Sequence, residues 1–230
     1  MKKLAILLLA IGCAREMPAP PQKQQLPHSI RVVALGDSLA YGTGDESGKG
    51  IAGRLREVLR QDGVASVETV NLAAAGASTR DLQAQLKKEN VRQQVANADA
   101  IVLSIGANDL FQTPKARDEL MREPLRVATD IRNRIEAIVA EIHTINPAAR
   151  IMILGGYNPV PNNPQASVIN FYLRVWDRML IHRFDDDAYV YVVQINDLVG
   201  PEQLSRIDNF HPSGEAYQQI SKRIATMLLT

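Results

Sequence analysis

The sequence predicts an α/β fold of three layers, in which a five-stranded parallel sheet is flanked by helices on both faces. One observation behind this prediction is that short β-branched runs alternate with longer segments whose apolar residues recur at helical spacing. Another is that residues 101–105 and 151–154 are apolar almost throughout, as expected for parallel strands buried on both faces. Ligands of such sheets bind beyond the carboxyl ends of the strands, so polar residues at those ends are the candidates for a functional site.

The individual strands and helices follow from these two periodicities. Five strands are predicted, at residues 30–35, 67–71, 100–105, 150–154 and 188–193. Helices are predicted around apolar stripes at residues 51–59, 131–142, 169–176 and 220–227. The first of these helices is expected to stop at Gly63, and the last is expected to follow Ser213, whose hydroxyl is suited to cap a helix.

The composition indicates one folded domain and gives no sign of a polyanionic partner. Of the 230 residues, 46% are hydrophobic, which suits a single domain with a full core over residues 29–230. The formal net charge is +1, so nothing in the charge balance favours binding to nucleic acid. The sequence also implies no obligate protein partner.

The first 13 residues are interpreted as a leader that precedes this domain. Two lysines are followed by eight apolar residues, a segment too short to span a bilayer. Gly12 and Cys13 come next, and a small residue before a cysteine at this place resembles the bacterial lipobox, whose cysteine is lipidated after cleavage. Residues 1–13 are therefore predicted to be a lipoprotein signal peptide with lipidation at Cys13. An ordinary secretory signal with an incidental cysteine is the alternative.

Residues 14–28 are predicted to form a proline-rich tether. They contain four prolines and almost no large apolar side chains, so an extended segment is expected, although a merely disordered leader would look similar. Cys13 is the only cysteine, so no disulfide can form within one chain. Leader and tether together predict an exported protein of the bacterial cell envelope, held at the membrane surface by its lipidated N-terminus.

Two short motifs near opposite ends of the domain suggest the chemistry. Ser38 lies in Gly-Asp-Ser directly after the first predicted strand, and Asp208 and His211 lie three residues apart before the last predicted helix. A serine hydroxyl needs an adjacent base to act as a nucleophile, and that base needs a partner to hold its tautomer. Ser38 is therefore the predicted nucleophile, His211 the base and Asp208 its orienting carboxylate. The alternatives are a helix cap for Ser38 and a simple turn before Pro212.

Two further segments complete a recognisable set of motifs. Gly76 ends an Asn-x-x-x-x-Gly run after the second predicted strand, and Asn108 lies in Gly-x-Asn-Asp after the third. Together with the Gly-Asp-Ser and Asp-x-x-His-Pro motifs, they occur in the same order as in the SGNH hydrolases, the GDSL family of lipases, esterases and acylhydrolases. The chain resembles this family over residues 36–212. The resemblance implies a flavodoxin-like fold and the hydrolysis of carboxylic esters.

The resemblance also implies an oxyanion hole. Its donors would be the backbone N–H groups of Ser38 and Gly76 and the side-chain amide of Asn108, aimed at the charge that develops on the carbonyl oxygen. A turn glycine and a helix-capping asparagine are the alternatives for the last two. The neighbouring carboxylates of Asp37 and Asp109 are expected to make structural hydrogen bonds.

The expected substrate is a small-molecule or lipid ester, with lipase or acylhydrolase activity as the first interpretation. An O-acetyl esterase of envelope polysaccharide is the rival within this class, and a non-catalytic binding lipoprotein of the same fold is the rival outside it. A flavin or nucleotide binder is disfavoured because neither glycine-rich run, 42–47 or 48–50, completes a phosphate-binding loop. No histidine, cysteine or carboxylate cluster has metal-ligand spacing, so no metal or cofactor is expected.

Overall fold

The five strands form one sheet in the order β2-β1-β3-β4-β5, and all neighbouring strands are parallel. The computed structural model describes residues 26–111 and 113–230, so the predicted leader, Cys13 and most of the tether lie outside the described residues. The strands are β1 (Ser29–Gly36), β2 (Ser66–Asn71), β3 (Ala100–Ser104), β4 (Arg150–Leu154) and β5 (Val190–Val193). The predicted fold class is confirmed.

Helices cover both faces of the sheet. In chain order they are α1 (Ser38–Tyr41), α2 (Gly50–Gln61), α3 (Thr79–Gln85), α4 (Glu89–Ala96), α5 (Ala107–Phe111), α6 (Pro114–Arg122), α7 (Pro124–Ile145), α8 (Ala166–Phe184) and α9 (Gly214–Leu229), with a 3-10 turn at Pro201–Gln203. Helices α2 and α9 pack on one face, and α3, α4, α7 and α8 pack on the other. Within the described ranges, no helix is both long and apolar enough to cross a membrane.

Alternate side chains of β1 enter opposite layers of the core. Ile30 and Val32 pack with α2 and α9, whereas Val33 and Leu35 pack with the helices of the other face. Every residue of the central strand β3 is buried, as expected for a parallel strand covered on both sides. Because both faces of the sheet are covered, the carboxyl ends of the strands are the natural position for a site.

The ends of two predicted helices agree with the structure. Helix α2 stops two residues before Gly63, which adopts a left-handed φ of +101°. Ser213 precedes α9 and its hydroxyl accepts a hydrogen bond from the backbone N–H of Ala216 at 3.4 Å, so the predicted cap is confirmed. Helix α9 thus begins directly after the motif that contains His211.

Strand β5 is shorter than the predicted segment. It begins at Val190 rather than at residue 188. The reason is a turn closed by Asp187, whose carboxylate accepts from the backbone N–H of Tyr189 at 3.0 Å and whose carbonyl accepts from that of Val190 at 3.2 Å. An aspartate that bonds to the backbone two residues later competes with strand pairing.

The apolar stripe at residues 169–176 predicts a helix but not its buried face. Helix α8 is present, yet its buried side chains are Asp177, Leu180 and Phe184 in its second half. Its first half exposes Phe171 and Tyr172. The Asp177 carboxylate accepts from the backbone N–H of Gly156, just after β4, at 3.1 Å. The turns of α8 before Asp177 therefore lie beyond the carboxyl end of that strand.

Candidate active site

Ser38 is the first residue of α1, directly beyond the carboxyl end of β1. The turn requires Gly36, since its φ is +122° and a Cβ there would lie 1.8 Å from the carbonyl oxygen of Ser104 on β3. Asp37, rather than Ser38, caps the helix. Its carboxylate accepts from a backbone N–H of α1 at 3.1 Å and from the Ser104 hydroxyl at 2.8 Å. The Ser38 hydroxyl is therefore not needed as a helix cap.

The structure brings the three predicted triad residues together in one hydrogen-bonded series. His211 Nε2 lies 2.8 Å from Ser38 Oγ, although the two residues are 173 positions apart in the chain. On the other side of the ring, His211 Nδ1 lies 2.6 Å from Asp208 Oδ2. The other carboxylate oxygen, Oδ1, accepts from the backbone N–H groups of Phe210 at 3.0 Å and His211 at 2.9 Å. Oδ2 thus orients the imidazole, and Oδ1 holds the carboxylate to the backbone of the same loop.

The electrostatics of Asp208 favour its ionised form. Burial by itself would raise the pKa of this carboxyl. The hydrogen bonds from the ring and backbone N–H of His211 and from the backbone N–H of Phe210 outweigh burial, and the pKa of Asp208 lies below its usual value. A carboxylate facing Nδ1 favours the tautomer with the proton on Nδ1. Nε2 then carries the lone pair toward Ser38 Oγ, as a general base requires.

Asp37 is a second carboxylate near the triad. Burial raises its pKa to about 6, against the opposing hydrogen bonds from Ser104 and from the backbone of α1 and the attraction of His211. Its hydrogen bonds join the turn after β1 to β3, so it supports the position of Ser38. This is the structural role expected for it.

The predicted oxyanion-hole residues lie on the loops after β2 and β3. Gly76 is exposed and adopts a left-handed φ of +82°, and a Cβ at this position would meet no atom within 4 Å. The side-chain amide of Asn108, at the start of α5, donates to the carbonyl oxygen of Ala77 at 2.9 Å. The structure therefore joins Asn108 to the loop that carries Gly76. Their roles as donors to an oxyanion stay predictions.

Asp109 fastens these two loops to each other. Its carboxylate accepts from the backbone N–H of Thr79 at 2.9 Å and from the Thr79 hydroxyl at 2.6 Å. Arg134 of α7 lies 3.3 Å from the same carboxylate. Asp109 therefore has the structural role that the sequence suggested.

Sequence reasoning missed three side chains that join the segments around Ser38 and His211. Glu46 accepts from the hydroxyl of Ser205, in the loop that carries His211. The Tyr157 hydroxyl donates to the carbonyl of Phe210 at 3.1 Å, and the Tyr217 hydroxyl donates to the carbonyl of Thr43 at 2.8 Å. Burial raises the pKa of both tyrosines, so both hydroxyls remain donors. No local motif marks these residues, because each bonds to a segment more than 50 positions away.

A serine, a histidine and an aspartate in hydrogen-bonded series, at the carboxyl edge of a parallel sheet, form the arrangement of a serine hydrolase. Residues 34–219 match the sequence model of the GDSL-like lipase/acylhydrolase family. That range contains all four motifs and covers most of the chain. The chain belongs to this family.

Three comparisons place the chain among other proteins. It is 31% identical to the uncharacterized protein YpmR of Bacillus subtilis strain 168, over 97% of this chain and 92% of that one. It is 25% identical to the spore germination lipase LipC of Bacillus licheniformis, over 85% and 95% of the two chains. Its fold is similar to that of the lipase Lip_vut3 from a goat rumen metagenome, with a TM-score of 0.72 at 23% identity, covering 86% of this chain and 96% of that one.

Replacing Asn108 tests the oxyanion assignment. Asn108→Ala is expected to lower kcat for an activated ester by about 100- to 1000-fold, because one predicted donor to the developing oxyanion is lost. KM is expected to change little, since the donor is needed mainly when charge develops. Asn97→Ala is the matched control, because the Asn97 amide donates to the carbonyl of Gln93 on the exposed surface of α4. A loss confined to KM would instead identify Asn108 as a ground-state binding residue.

Proposed function

We propose that this protein is an exported hydrolase that cleaves carboxylic esters through an acyl-enzyme formed on Ser38. The observation that carries the proposal is the position of His211, whose ring nitrogens lie 2.8 Å from Ser38 Oγ and 2.6 Å from Asp208 Oδ2. Membership of the GDSL-like lipase/acylhydrolase family supports the same reaction class. The mechanism follows from this geometry.

In the first half of the reaction, Ser38 Oγ attacks the ester carbonyl carbon while its proton passes to His211 Nε2. The carbonyl oxygen becomes an oxyanion beside the Ser38 N–H, the Gly76 N–H and the Asn108 amide. When the intermediate collapses, the carbon–oxygen bond to the alcohol breaks and His211 returns the proton to the leaving alcohol. The acyl group is then held on Ser38 as an ester.

In the second half, His211 takes a proton from a water molecule that attacks the acyl-enzyme. The second oxyanion occupies the same donors, and its collapse releases the carboxylic acid and returns the proton to Ser38 Oγ. Throughout, the ionised Asp208 stabilises the imidazolium form of His211 without taking its proton. No step requires a metal or an organic cofactor.

We propose an ester with an apolar acyl chain as the substrate. Phe210 is 45% exposed and Ile207 is 67% exposed, and both lie on the same loop as His211. Phe171 and Tyr172 are exposed on the first turns of α8, which follows β4. Their rings are arranged edge to face, with their centroids 5.6 Å apart. Large exposed apolar side chains on the loop of the base and on a helix that follows β4 favour contact with an apolar ligand.

The test is the rate of hydrolysis of a p-nitrophenyl ester series, from acetate to laurate, with an acetylated polysaccharide as the comparison. We expect turnover of the series, with kcat/KM rising with chain length beyond acetate, because each buried methylene contributes about 0.8 kcal/mol. A preference for acetate and release of acetate from the polysaccharide would identify an O-acetyl esterase. Absence of turnover with every substrate would favour a non-catalytic binding protein.

We propose that the mature protein is anchored to the membrane through lipidated Cys13. When the chain is expressed in a bacterium with its own leader, it is expected in the membrane fraction, whereas Cys13→Ser is expected to leave that fraction, because the thiol is the acyl acceptor. Activity per molecule should be equal in both, since the candidate site begins at Ser38. Mass spectrometry of the mature N-terminus is the deciding measurement. An unmodified terminus beyond Cys13 would show an ordinary secreted protein.

A further inference from the structure

The loop that carries His211, residues 204–213, is held in shape by its own hydrogen bonds. The backbone N–H of Ser205 donates to the carbonyl of His211 at 2.7 Å, and that of Asn209 donates to the carbonyl of Ser205 at 2.8 Å. The Ser205 hydroxyl also accepts from the backbone N–H of Ile207 at 3.1 Å. These bonds shape the loop, but they do not place it relative to Ser38, which comes from the other end of the domain.

The chain that follows Ser38 provides a rigid surface for this loop. Four residues after α1 begins, the backbone reaches Gly42, and Asp45 lies three residues farther on. The Asp45 carboxylate accepts from the hydroxyl and the N–H of Ser47 at 2.7 and 2.9 Å and from the N–H of Gly50 at 2.9 Å. It also accepts two bonds from Arg54, each of 2.8 Å. The Asp45 side chain is fully buried, so these bonds hold the segment in one conformation.

Glu46, the next residue, connects this segment to the start of the loop and to the first residue of α9, directly after the loop. Its Oε1 accepts from the Ser205 hydroxyl at 3.3 Å, and its Oε2 accepts from the backbone N–H of Gly214 at 3.0 Å. Gly214 is the first residue of α9, where a carboxylate interacts favourably with the helix dipole. The Gly214 N–H is also the main reason that the pKa of Glu46 lies below its usual value. Glu46 therefore bonds as a carboxylate on both sides of His211.

Gly44 shows how closely the segment and the loop approach. A Cβ on Gly44 would lie 2.7 Å from the carbonyl oxygen of Pro212 and 2.8 Å from Cβ of His211. The φ of Gly44 is +93°, which also disfavours any other residue. The backbone after the nucleophile is thus in direct contact with the residue that carries the base.

We propose that Glu46 is a positioning residue that fixes the distance between His211 and Ser38, by bonding the loop of residues 204–213 to the segment that follows the nucleophile. The inference rests on the proposed ester hydrolysis. A displacement of the imidazole by about 1 Å is enough to lower a proton-transfer rate roughly 100-fold. Glu46 contacts neither Ser38 nor the ring of His211 through any described hydrogen bond, so it would act only through the loop.

Two variants of Glu46 separate positioning from charge. Glu46→Ala removes both bonds, and its kcat per active site is expected to fall about 10- to 100-fold with KM changed less than about twofold. Glu46→Gln is expected to retain kcat within about fivefold, because its amide can accept from Gly214 and donate to the Ser205 hydroxyl. Glu141→Ala is the matched control, since it removes a glutamate and its 2.5 Å ion pair with Arg92 on the other face of the sheet. Its kcat is expected to equal that of the wild type.

The rate at which a fluorophosphonate labels Ser38 gives a readout that loss of folded protein would not reproduce. We expect this rate to fall with kcat in Glu46→Ala while every folded molecule is still labelled and the melting temperature stays within a few degrees of the wild type. Unchanged kcat and labelling rate in Glu46→Ala would overturn the proposal. So would a loss of activity explained entirely by a smaller labelled fraction.

A pair of glycine variants tests the same contact without touching Glu46. Gly44 and Gly48 both have a positive φ, of +93° and +69°, so alanine at either position would strain the backbone and lower the stability of the fold. Only at Gly44 does the added Cβ meet the loop, whereas at Gly48 it meets no atom within 4 Å. We expect Gly44→Ala to lower kcat at least about 100-fold and Gly48→Ala to lower it less than about threefold. Equal effects at the two positions would overturn the proposal.

The wild type and Ser38→Ala, measured in the same assay, separate the role of Glu46 from the proposed ester hydrolysis. Ester turnover that depends on Ser38, combined with an unaffected Glu46→Ala, would overturn the role of Glu46 alone. Absence of any turnover that depends on Ser38 would overturn the proposed function and this inference together.

Discussion

Ser38→Ala is expected to lower kcat for ester hydrolysis by at least about three orders of magnitude. The substitution removes one oxygen atom, which is the only atom within hydrogen-bonding distance of His211 Nε2 among the described contacts. The remaining site can still bind substrate and stabilise an oxyanion, so a small residual rate is expected. Hydrolysis of p-nitrophenyl butyrate by the purified variant is the measurement.

The fold is expected to survive this substitution. The cap of α1 is provided by Asp37, so the Ser38 hydroxyl has no helix-capping role to lose. The melting temperature should therefore match that of the wild type. Ser66→Ala, at the exposed start of β2, is the matched control and should keep full activity. Wild-type turnover in Ser38→Ala would show that the nucleophile lies elsewhere.

Asp208→Asn is expected to lower kcat by about 1000- to 10000-fold while leaving KM nearly unchanged. In the wild type, Oδ1 accepts from two backbone N–H groups and Oδ2 accepts from His211 Nδ1. An asparagine must keep its single oxygen on the backbone N–H groups, which leaves its NH₂ facing Nδ1. That arrangement favours the tautomer with the proton on Nε2, and Nε2 can then no longer accept the proton of Ser38.

A surface pair with the same spacing provides the control for this variant. Asp185 lies three residues after His182, and its Oδ2 is 3.6 Å from Nδ1 of that exposed histidine. Asp185→Asn changes the same atoms in a comparable pair and should leave kcat unchanged. A fall of less than about tenfold in Asp208→Asn would mean that Asp208 does not control the tautomer of His211.

The sheet and its longer helices could be predicted from local sequence. Strand β4 has the bounds that were predicted, Arg150–Leu154, and the isoleucine stripe of residues 131–142 lies on the buried face of α7. Such segments are long or fully apolar. The spacing of their apolar residues depends only on which faces of the helix or strand are buried in the core. The predictions were poorer where a nearby polar side chain bonds to the backbone, as Asp187 does before β5.

The short helices α3 to α6 were not predicted, and the reason is physical. Helix α3 has seven residues and α5 has five, so neither presents enough turns to display an apolar stripe. Their stability comes from caps and from contacts with the rest of the domain. Ser78 caps α3 in a reciprocal pair with Asp81, and Asp109 of α5 bonds to Thr79. Such contacts leave no apolar periodicity in the sequence.

The candidate site could also be predicted in part from local motifs, whereas the rest of it depends on tertiary packing. Ser38, Gly76, Asn108, Asp208 and His211 each lie in a motif next to a strand or helix end, so their identity and order could be read from the chain. The parallel topology then places the carboxyl ends of β1, β2, β3 and β5 at one edge. Local sequence was therefore enough to name the candidates and to place them at the same edge of the sheet.

The tertiary structure was needed to assign the structural roles of individual side chains at that edge of the sheet. Asp37 and Ser38 are adjacent and either could cap α1. In the structure the Asp37 carboxylate accepts from the backbone N–H of Leu39, and the Ser104 hydroxyl of β3 donates to the same oxygen. Glu46 meets its partners 159 and 168 positions along the chain. Motifs record neighbours in sequence, whereas the distance between a base and its nucleophile depends on contacts between segments that are far apart in the chain.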